Sequence, residues 1–361
     1  MSNAIVNGIA GAGGGIVAQI ITYPLQTVNT RQQTERIAKE SIPPSASSPA
    51  LIQIFHLIRS EGIGGLYSGL KPSLLGTAAS QGIYYSFYQA FKNKAVALAL
   101  ANKTKGRGDG TPGMLSWLLV AALAGSLNVL FTNPIWVLVT RMQTYTQAER
   151  KIVEAKKEAL LKEASQNALS QSSLTMQLAQ LDSIKPRPYG TIQAACEVYN
   201  ESGVAGFWKG IVPTLIMVCN PSIQFMIYES LLKRLRSRRS AKKQGSTNIK
   251  ALEVNLLTCL VFSINLIFLV GAIAKLGATV CTYPLLVVKS RLQAKQEIGG
   301  NLSLRYSGTI DAIIKMIRYE AVRSFYKGMS TKIVQSVFAA SVLFMVKEEL
   351  VKIYDAMRSV K

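Results

Sequence analysis

Histidine, cysteine and carboxylates are scarce in this chain of 361 residues: one histidine, four cysteines and 19 acids stand against 41 lysines and arginines. Cys196, Cys219, Cys259 and Cys281 show no CxxC or other ligand spacing, and with the lone His56 they build neither a zinc site nor a disulfide framework. No grouping of acid, base and nucleophile suited to catalysis is visible, so an enzyme is not expected. No basic segment precedes the first apolar stretch and no Arg-rich amphipathic presequence is seen, so neither a cleaved signal nor an organelle presequence is expected. The end of the chain, Ser359-Val-Lys361, is not the peroxisomal tripeptide address.

Charge itself is missing from long stretches. None occurs over 1–30, 72–91, 111–140, 210–228 or 333–346, and 254–288 holds only Lys275. With 49% hydrophobic residues, 17% charged residues and a mean hydropathy of +0.23, the chain is too apolar for a soluble domain of this length. A helix crosses the hydrocarbon core in about 20 apolar residues, so six membrane spans are expected. The net charge of +22 would otherwise suggest nucleic acid. Its basic residues lie between uncharged stretches rather than on an aromatic-interleaved face, which favours anionic lipid headgroups and an anionic solute as partners, with no nucleic acid.

What the chain does have is a threefold internal repeat. Pro24, Pro134 and Pro284 are each followed seven residues later by Arg31, Arg141 and Arg291, and two beyond those by Gln33, Gln143 and Gln293. A second block follows each time: Glu61 to Tyr67-Ser-Gly69, Glu201 to Trp208-Lys-Gly210, and Glu320 to Tyr326-Lys-Gly328. Proline to last glycine is 45 residues in the first unit, 44 in the third and 76 in the second, an excess of 31. The units read as 1–105, 106–245 and 246–361, together one transmembrane domain. An inserted loop of about 148–181 lies in the second unit: a Glu/Lys helix over 151–164, then a polar linker, neither assigned any chemistry.

The first span of each unit is rich in small residues, such as Gly11, Gly15, Ala124, Gly125, Ala274 and Gly277. These let membrane helices approach closely. The rival reading of Gly11 to Gly15 as a phosphate loop lacks its Gly-Lys-Ser/Thr ending. Each of the three prolines removes a backbone hydrogen bond and kinks its helix, tilting three helix ends toward one axis. Polar and aromatic groups inside apolar spans mark candidate solute contacts: Gln81, Tyr84, Tyr85, Asn220, Gln224, Phe225, Lys275, Lys332 and Gln335. The plainer alternatives stay open, snorkelling for Lys275 and helix packing for the aromatics.

These blocks resemble the mitochondrial carrier family over essentially the whole chain. The resemblance implies an all-α membrane protein with six tilted helices, pseudo-three-fold symmetry, short surface helices within each repeat, and one central site serving exchange. Family members close one gate with a ring of ion pairs, an acid two residues and a base five residues after each proline. Here the acid positions hold Gln26, Trp136 and Leu286, and the base positions hold Asn29, Val139 and Lys289. The bracing Gln33, Gln143 and Gln293 persist, so packing and weak hydrogen bonds are expected to hold this gate, with Gln26 near Lys289. The opposite gate matches the family at Tyr88 and Lys92, Glu229 and Lys233, and Glu348 and Lys352, and is expected to be the better latched. Arg31, Arg141 and Arg291 either tether to Glu61, Glu201 and Glu320 or reach the solute; the tether is the favoured reading.

In finer motifs, such as Asn133-Pro-Ile-Trp136 and Asn220-Pro-Ser-Ile-Gln224, the chain is similar to the family's carriers for NAD, folate, pyrimidine nucleotides and peroxisomal solutes. That likeness implies exchange of NAD for AMP or ADP across the peroxisomal membrane, these nucleotides being transported solutes rather than cofactors; no cofactor or metal is expected. A pyrophosphate asks for lysine or arginine, and two flat rings ask for aromatic or apolar faces. Alternatives are a peroxisomal adenine-nucleotide or coenzyme A exchanger and a mitochondrial inner-membrane NAD, folate or pyrimidine carrier. A non-transporting membrane scaffold is the alternative of another class. The run 233–250 holds eight basic residues and no acid. It reads equally as a lipid headgroup contact and as a segment bound by a peroxisomal membrane-protein targeting receptor. Finally, the stretch Ala251 to Pro284 is 33 residues, against about 21 before the other prolines. The excess falls on 258–270, read as a foreign insertion that extends or kinks the fifth span beyond a core of about 30 Å.

Overall fold

The computed structural model describes residues 3–35, 50–104, 110–166, 176–177, 189–243, 254–295 and 306–359. Among these residues the chain is all-helical, with no strand. The first repeat supplies α1 (Asn3–Thr34), α2 (Ala50–Leu66) and α3 (Leu70–Thr104). The second supplies α4 (Met114–Gln166), α5 (Thr191–Ser202), α6 (Ile211–Met217) and α7 (Asn220–Lys243). The third supplies α8 (Val254–Gln293), α9 (Thr309–Glu320) and α10 (Met329–Ser359). A short 3₁₀ turn follows α5 at Val204–Trp208 and α9 at Val322–Tyr326.

Each proline sits inside its helix rather than at its end. Helix α1 runs on from Pro24 to Thr34, α4 from Pro134 to Gln166 and α8 from Pro284 to Gln293. One lost hydrogen bond does not stop a helix whose flanking turns are packed. The continuations carry the arginines and glutamines of the repeat. The second repeat departs from the others in its even helix, where Val218 and Cys219 break the run ahead of Asn220-Pro221. Proline at the first turn of α7 needs no amide donor and starts the helix anew.

The three units pack on one another more than within themselves: α3 lies on α4, α7 on α8, and α10 on α1, which closes the chain into a ring. Small residues set these approaches. A Cβ at Gly76 of α3 would fall 3.0 Å from Ile135 of α4, and one at Gly277 of α8 would fall 3.1 Å from Ile227 of α7. Gly15 lies inside α1 facing Leu343, so this glycine run is helix packing and not a phosphate loop. Large apolar side chains such as Leu115, Leu119, Leu123 and Val337 stand exposed on the outside, the pattern of a protein solvated by lipid.

Three stretches are long and apolar enough to cross a membrane among the described residues: Met114–Glu154, Val204–Arg234 and Val270–Gln293. The segment 258–270 continues α8 without interruption; the helix has 40 residues and measures roughly 60 Å at about 1.5 Å per residue. Of the two outcomes expected for it, the segment extends the helix. The Glu/Lys stretch 151–164 prolongs α4 as a helix to Gln166. Most of the linker that follows lies outside the described residues, as do residues 244–250 and the side chains of 235–243, which hold most of the basic run.

Candidate functional site

Where α1, α4 and α8 continue past their prolines, the three arginines are almost wholly buried, with Arg291 at 0% exposure. A buried guanidinium needs a carboxylate, and each finds the glutamate of the second block in its own repeat. Arg31 holds Glu61 through two bonds of 2.9 and 3.0 Å, Arg141 holds Glu201, and Arg291 holds Glu320. The tether is therefore the arrangement present. The same arginines also join repeats. Arg31 Nε donates to the Gln143 carbonyl at 2.9 Å, Arg141 Nε to that of Gln293 at 3.0 Å, and Arg291 Nε to that of Gln33 at 3.0 Å. The third bond returns to the first repeat, so the circle closes.

The glutamine side chains run the opposite way round the circle, each to the residue just before the preceding unit's proline. Gln33 Nε2 donates to Tyr283 at 3.1 Å and Gln293 Nε2 to Asn133 Oδ1 at 3.5 Å. Gln143 Nε2 lies beside Tyr23 without a hydrogen bond of good geometry. Those three partners are in turn anchored to the second block, Tyr23 on the Ser68 carbonyl, Asn133 on that of Lys209 and Tyr283 on that of Lys327. Sequence reasoning missed Tyr23, Asn133 and Tyr283. Their signal was a long polar-tipped or amide side chain at the same repeat position, one place upstream of each proline. The glycine ending each second block has positive φ, 82° at Gly69, 74° at Gly210 and 80° at Gly328. A Cβ at Gly328 would also press on Asn29 Oδ1 at 3.1 Å.

Around this collar the helices are apolar and closely packed: Val28, Val137, Val139, Val287 and Val288 are all at 2% exposure or less, the last two in a cluster with Ala312, Met316 and Phe325. Asn29 accepts a long bond of 3.4 Å from Tyr283, and Trp136 lies on Gly76. Gln26 is half-buried and makes no hydrogen bond to Lys289. The pairing expected between them is not formed: Gln26 gives its backbone carbonyl to Thr30 at 3.0 Å, and its side chain has no hydrogen bond to α8.

The polar groups outside the spans have the ionisation that such a collar requires. Burial would raise the Glu201 carboxyl, but Arg141 and Lys209 together hold it below the usual range. Burial pulls Lys327 below its ordinary value against the pull of Glu35. At Lys295 burial is outweighed by Glu197, 2.7 Å away, and the ammonium is held above its ordinary value.

Among the candidate solute contacts, Lys332 donates to Gln335 at 3.1 Å and lies in the field of both Lys275 and Lys289. All three lysines belong to the third repeat, and Lys275 is exposed. Asn220 is committed elsewhere, donating to Thr282 on α8 at 3.1 Å. Tyr84 is half-buried and stacks on Tyr88 one turn along at 5.8 Å, whereas Tyr85 is 67% exposed. Successive residues of a helix point about 100° apart, so the two tyrosines do not share a face. Gln81 is exposed, Gln224 half-buried and Phe225 exposed.

The opposite gate is described only in part. Lys92, Glu229 and Lys233 form no ion pair among the described residues, and Lys352 pairs with Glu349 on its own helix at 3.0 Å. The Glu348 side chain lies outside the described residues. Among the described residues the tethers and braces act at the proline side.

A ring of helices tied at one end by a cyclic network fits a carrier, and the family and relatives that the chain matches are those of transporters rather than enzymes. The chain belongs to the mitochondrial carrier family: the family model described as mitochondrial carrier protein matches residues 2–97, 173–239 and 263–357. The chain is 57% identical to the peroxisomal nicotinamide adenine dinucleotide carrier of Arabidopsis thaliana, over 98% of this chain and 96% of that one. It is 33% identical to the mitochondrial substrate carrier family protein Q of Dictyostelium discoideum, over 96% of this chain and 88% of that one. To a chloroplastic folate transporter of Arabidopsis thaliana it is 30% identical, over 96% of this chain and 94% of that one.

Proposed function

We propose that this chain is an antiporter of the peroxisomal membrane that exchanges NAD for AMP or ADP by alternating access. The observation that carries the reading is its 57% identity, over nearly the whole of both chains, to a peroxisomal NAD carrier. The interior lysines fit it: a dinucleotide's pyrophosphate requires fixed cations. The architecture is six tilted spans in three repeats, with pseudo-three-fold symmetry about the solute path. α1, α4 and α8 are the odd spans; α3, α6 with α7, and α10 are the even ones. Gln224, Phe225 and Tyr84 offer the amide and the flat faces for the rings. Membrane lipids surround the apolar exterior, and the basic run after Lys233 serves lipid contact or recognition by a targeting receptor.

Purified protein in liposomes tests this. Vesicles loaded with AMP take up NAD, and empty vesicles do so at least about fivefold more slowly, the low end of ordinary coupling between two ligands. Equal uptake into both would mark a uniporter or channel, and uptake of folate in place of NAD would move the chain to another branch of the family.

A further inference from the structure

Two residues beyond the last glutamine of each repeat stand Glu35, Tyr145 and Lys295. Two of the three tie neighbouring repeats together outside the collar. Glu35 of the first repeat pairs with Lys327 of the third at 2.8 Å, and Lys295 of the third pairs with Glu197 of the second at 2.7 Å. Tyr145 instead stacks on Tyr189 of its own repeat, with 3.8 Å between ring centroids. A neutral phenol cannot give the junction of the second and first repeats the ion pair that its position gives the other two.

Helix α4 meets that junction in another way. Helix α1 ends at Thr34 and α8 at Gln293, whereas α4 runs on to Gln166. Its first turns past the collar lie against the first repeat. Gln147 Nε2 donates to the Arg31 carbonyl at 3.4 Å, its Oε1 accepts from Thr34 at 3.3 Å, and Arg150 stands 3.7 Å from Glu61. Helical residues three apart share a face, so Gln147 and Arg150 act side by side on the same tether. Between them Ala148 is buried, and Glu149 reaches Lys295 of the third repeat at 3.7 Å. The prolonged helix thus touches both neighbouring repeats.

We propose that this stretch of α4, which leads into the insertion of the second repeat, is a strap across the proline side. Arg150 and Gln147 are positioning residues: they hold the Arg31–Glu61 tether against the second repeat and slow the parting of these two repeats during transport. This rests on alternating access but not on the solute being NAD. Arg150 is 41% exposed, so water and salt screen its attraction to Glu61, and the pair biases an equilibrium by about two- to fivefold rather than locking it.

The full-length chain, with its native cysteines replaced by serine, is reconstituted in liposomes carrying one reporter. Val139→Cys places it at the junction, where the Val139 carbonyl lies 3.4 Å from a Cβ built on Gly69 of the first repeat. Val198→Cys, at an equally buried position of α5, is the control. Arg150→Ala raises the rate of alkylation by a membrane-permeant maleimide at Val139→Cys by about two- to fivefold, and Arg150→Glu raises it further. The rate at Val198→Cys does not move. Added salt quickens the wild type and narrows its gap to Arg150→Ala. Gln147→Ala gives a similar rise and takes the place of Arg150→Ala should that variant fold poorly. Unchanged rates at Val139→Cys in all three variants overturn the proposal. So does an equal rise at Val198→Cys, which would mark general loosening, and so does a gap that salt leaves intact. Should the wild type carry no NAD, the proposed solute is wrong, and the alkylation rates still decide the strap.

Discussion

Glu201 shows how much one side chain carries when it neutralises a buried arginine. It binds both Arg141 and Lys209, and Arg141 in turn holds the third repeat through the Gln293 carbonyl. Glu201→Gln leaves Arg141 without its counter-ion, which costs about 3–5 kcal/mol; a large drop in melting temperature in detergent checks it. The pH dependence has a fixed sign. A carboxyl held below its unfolded value contributes stability in full above that value, about 4.3 for glutamate, and loses it as pH falls through the folded value. Acidifying below pH ~4.3 therefore destabilises the wild type more than Glu201→Gln at this site. The interior residues behave differently. Lys275→Ala and, separately, Tyr84→Ala lower NAD uptake by about tenfold, or 1.4 kcal/mol of barrier, with the melting temperature near wild type. Lost stability with normal uptake per folded molecule would return either residue to packing. The arginine tethers were legible from residue type and repeat position, since a buried arginine must find an acid and each repeat offers one. The absence of a Gln26–Lys289 bond was not, because whether two side chains on α1 and α8 meet depends on how those helices pack.

At the scale of elements, the three long helices with internal prolines divide the labour of the fold. Before the proline each is apolar; after it each carries the buried arginine and glutamine of the collar. Helix α8 has length to spare at its other end. Deleting 258–270 joins Leu257 to Gly271, putting a leucine in the place of the buried Val270. The shortened helix still spans about 40 Å, more than a bilayer core. The expected result is transport and melting temperature equal to or above those of the full chain. Lost transport with retained folding would show that the segment works. Helix order was readable from uncharged runs and repeat spacing, whereas length was not: helix 114–166 runs 53 residues, well past the uncharged run 111–140. The break at Val218 and Cys219 was not, because a proline near an asparagine reads equally well as a kink or a restart.

The whole molecule is tied at the proline side by a cyclic set of bonds. Each closure bond is modest: Gln293 contributes contacts to Thr140, Asn133 and the Lys209 carbonyl, about 1 kcal/mol each. Gln293→Ala should shift the balance toward the conformation open at the proline side by about fivefold or more. A cysteine placed at Val139, 2% exposed here, reports it in a background stripped of the native cysteines. Its alkylation by a maleimide quickens in Gln293→Ala; an unchanged rate would mean the valine plug, not the braces, holds the gate.

The amino-acid sequence alone determined that this chain is apolar, helical and built three times over. Those properties depend on local composition and on a spacing that recurs, and both survive without knowledge of contacts. Only the tertiary structure decided which repeat each bond reaches. Arg31 lies 112 residues from the carbonyl it binds and Arg291 lies 258 from its own. The direction of such a circle depends on how three packed helices turn toward one another, which no local pattern encodes. The same holds for which gate is shut, since closure is a balance among weak bonds across the whole ring rather than a property of any one motif.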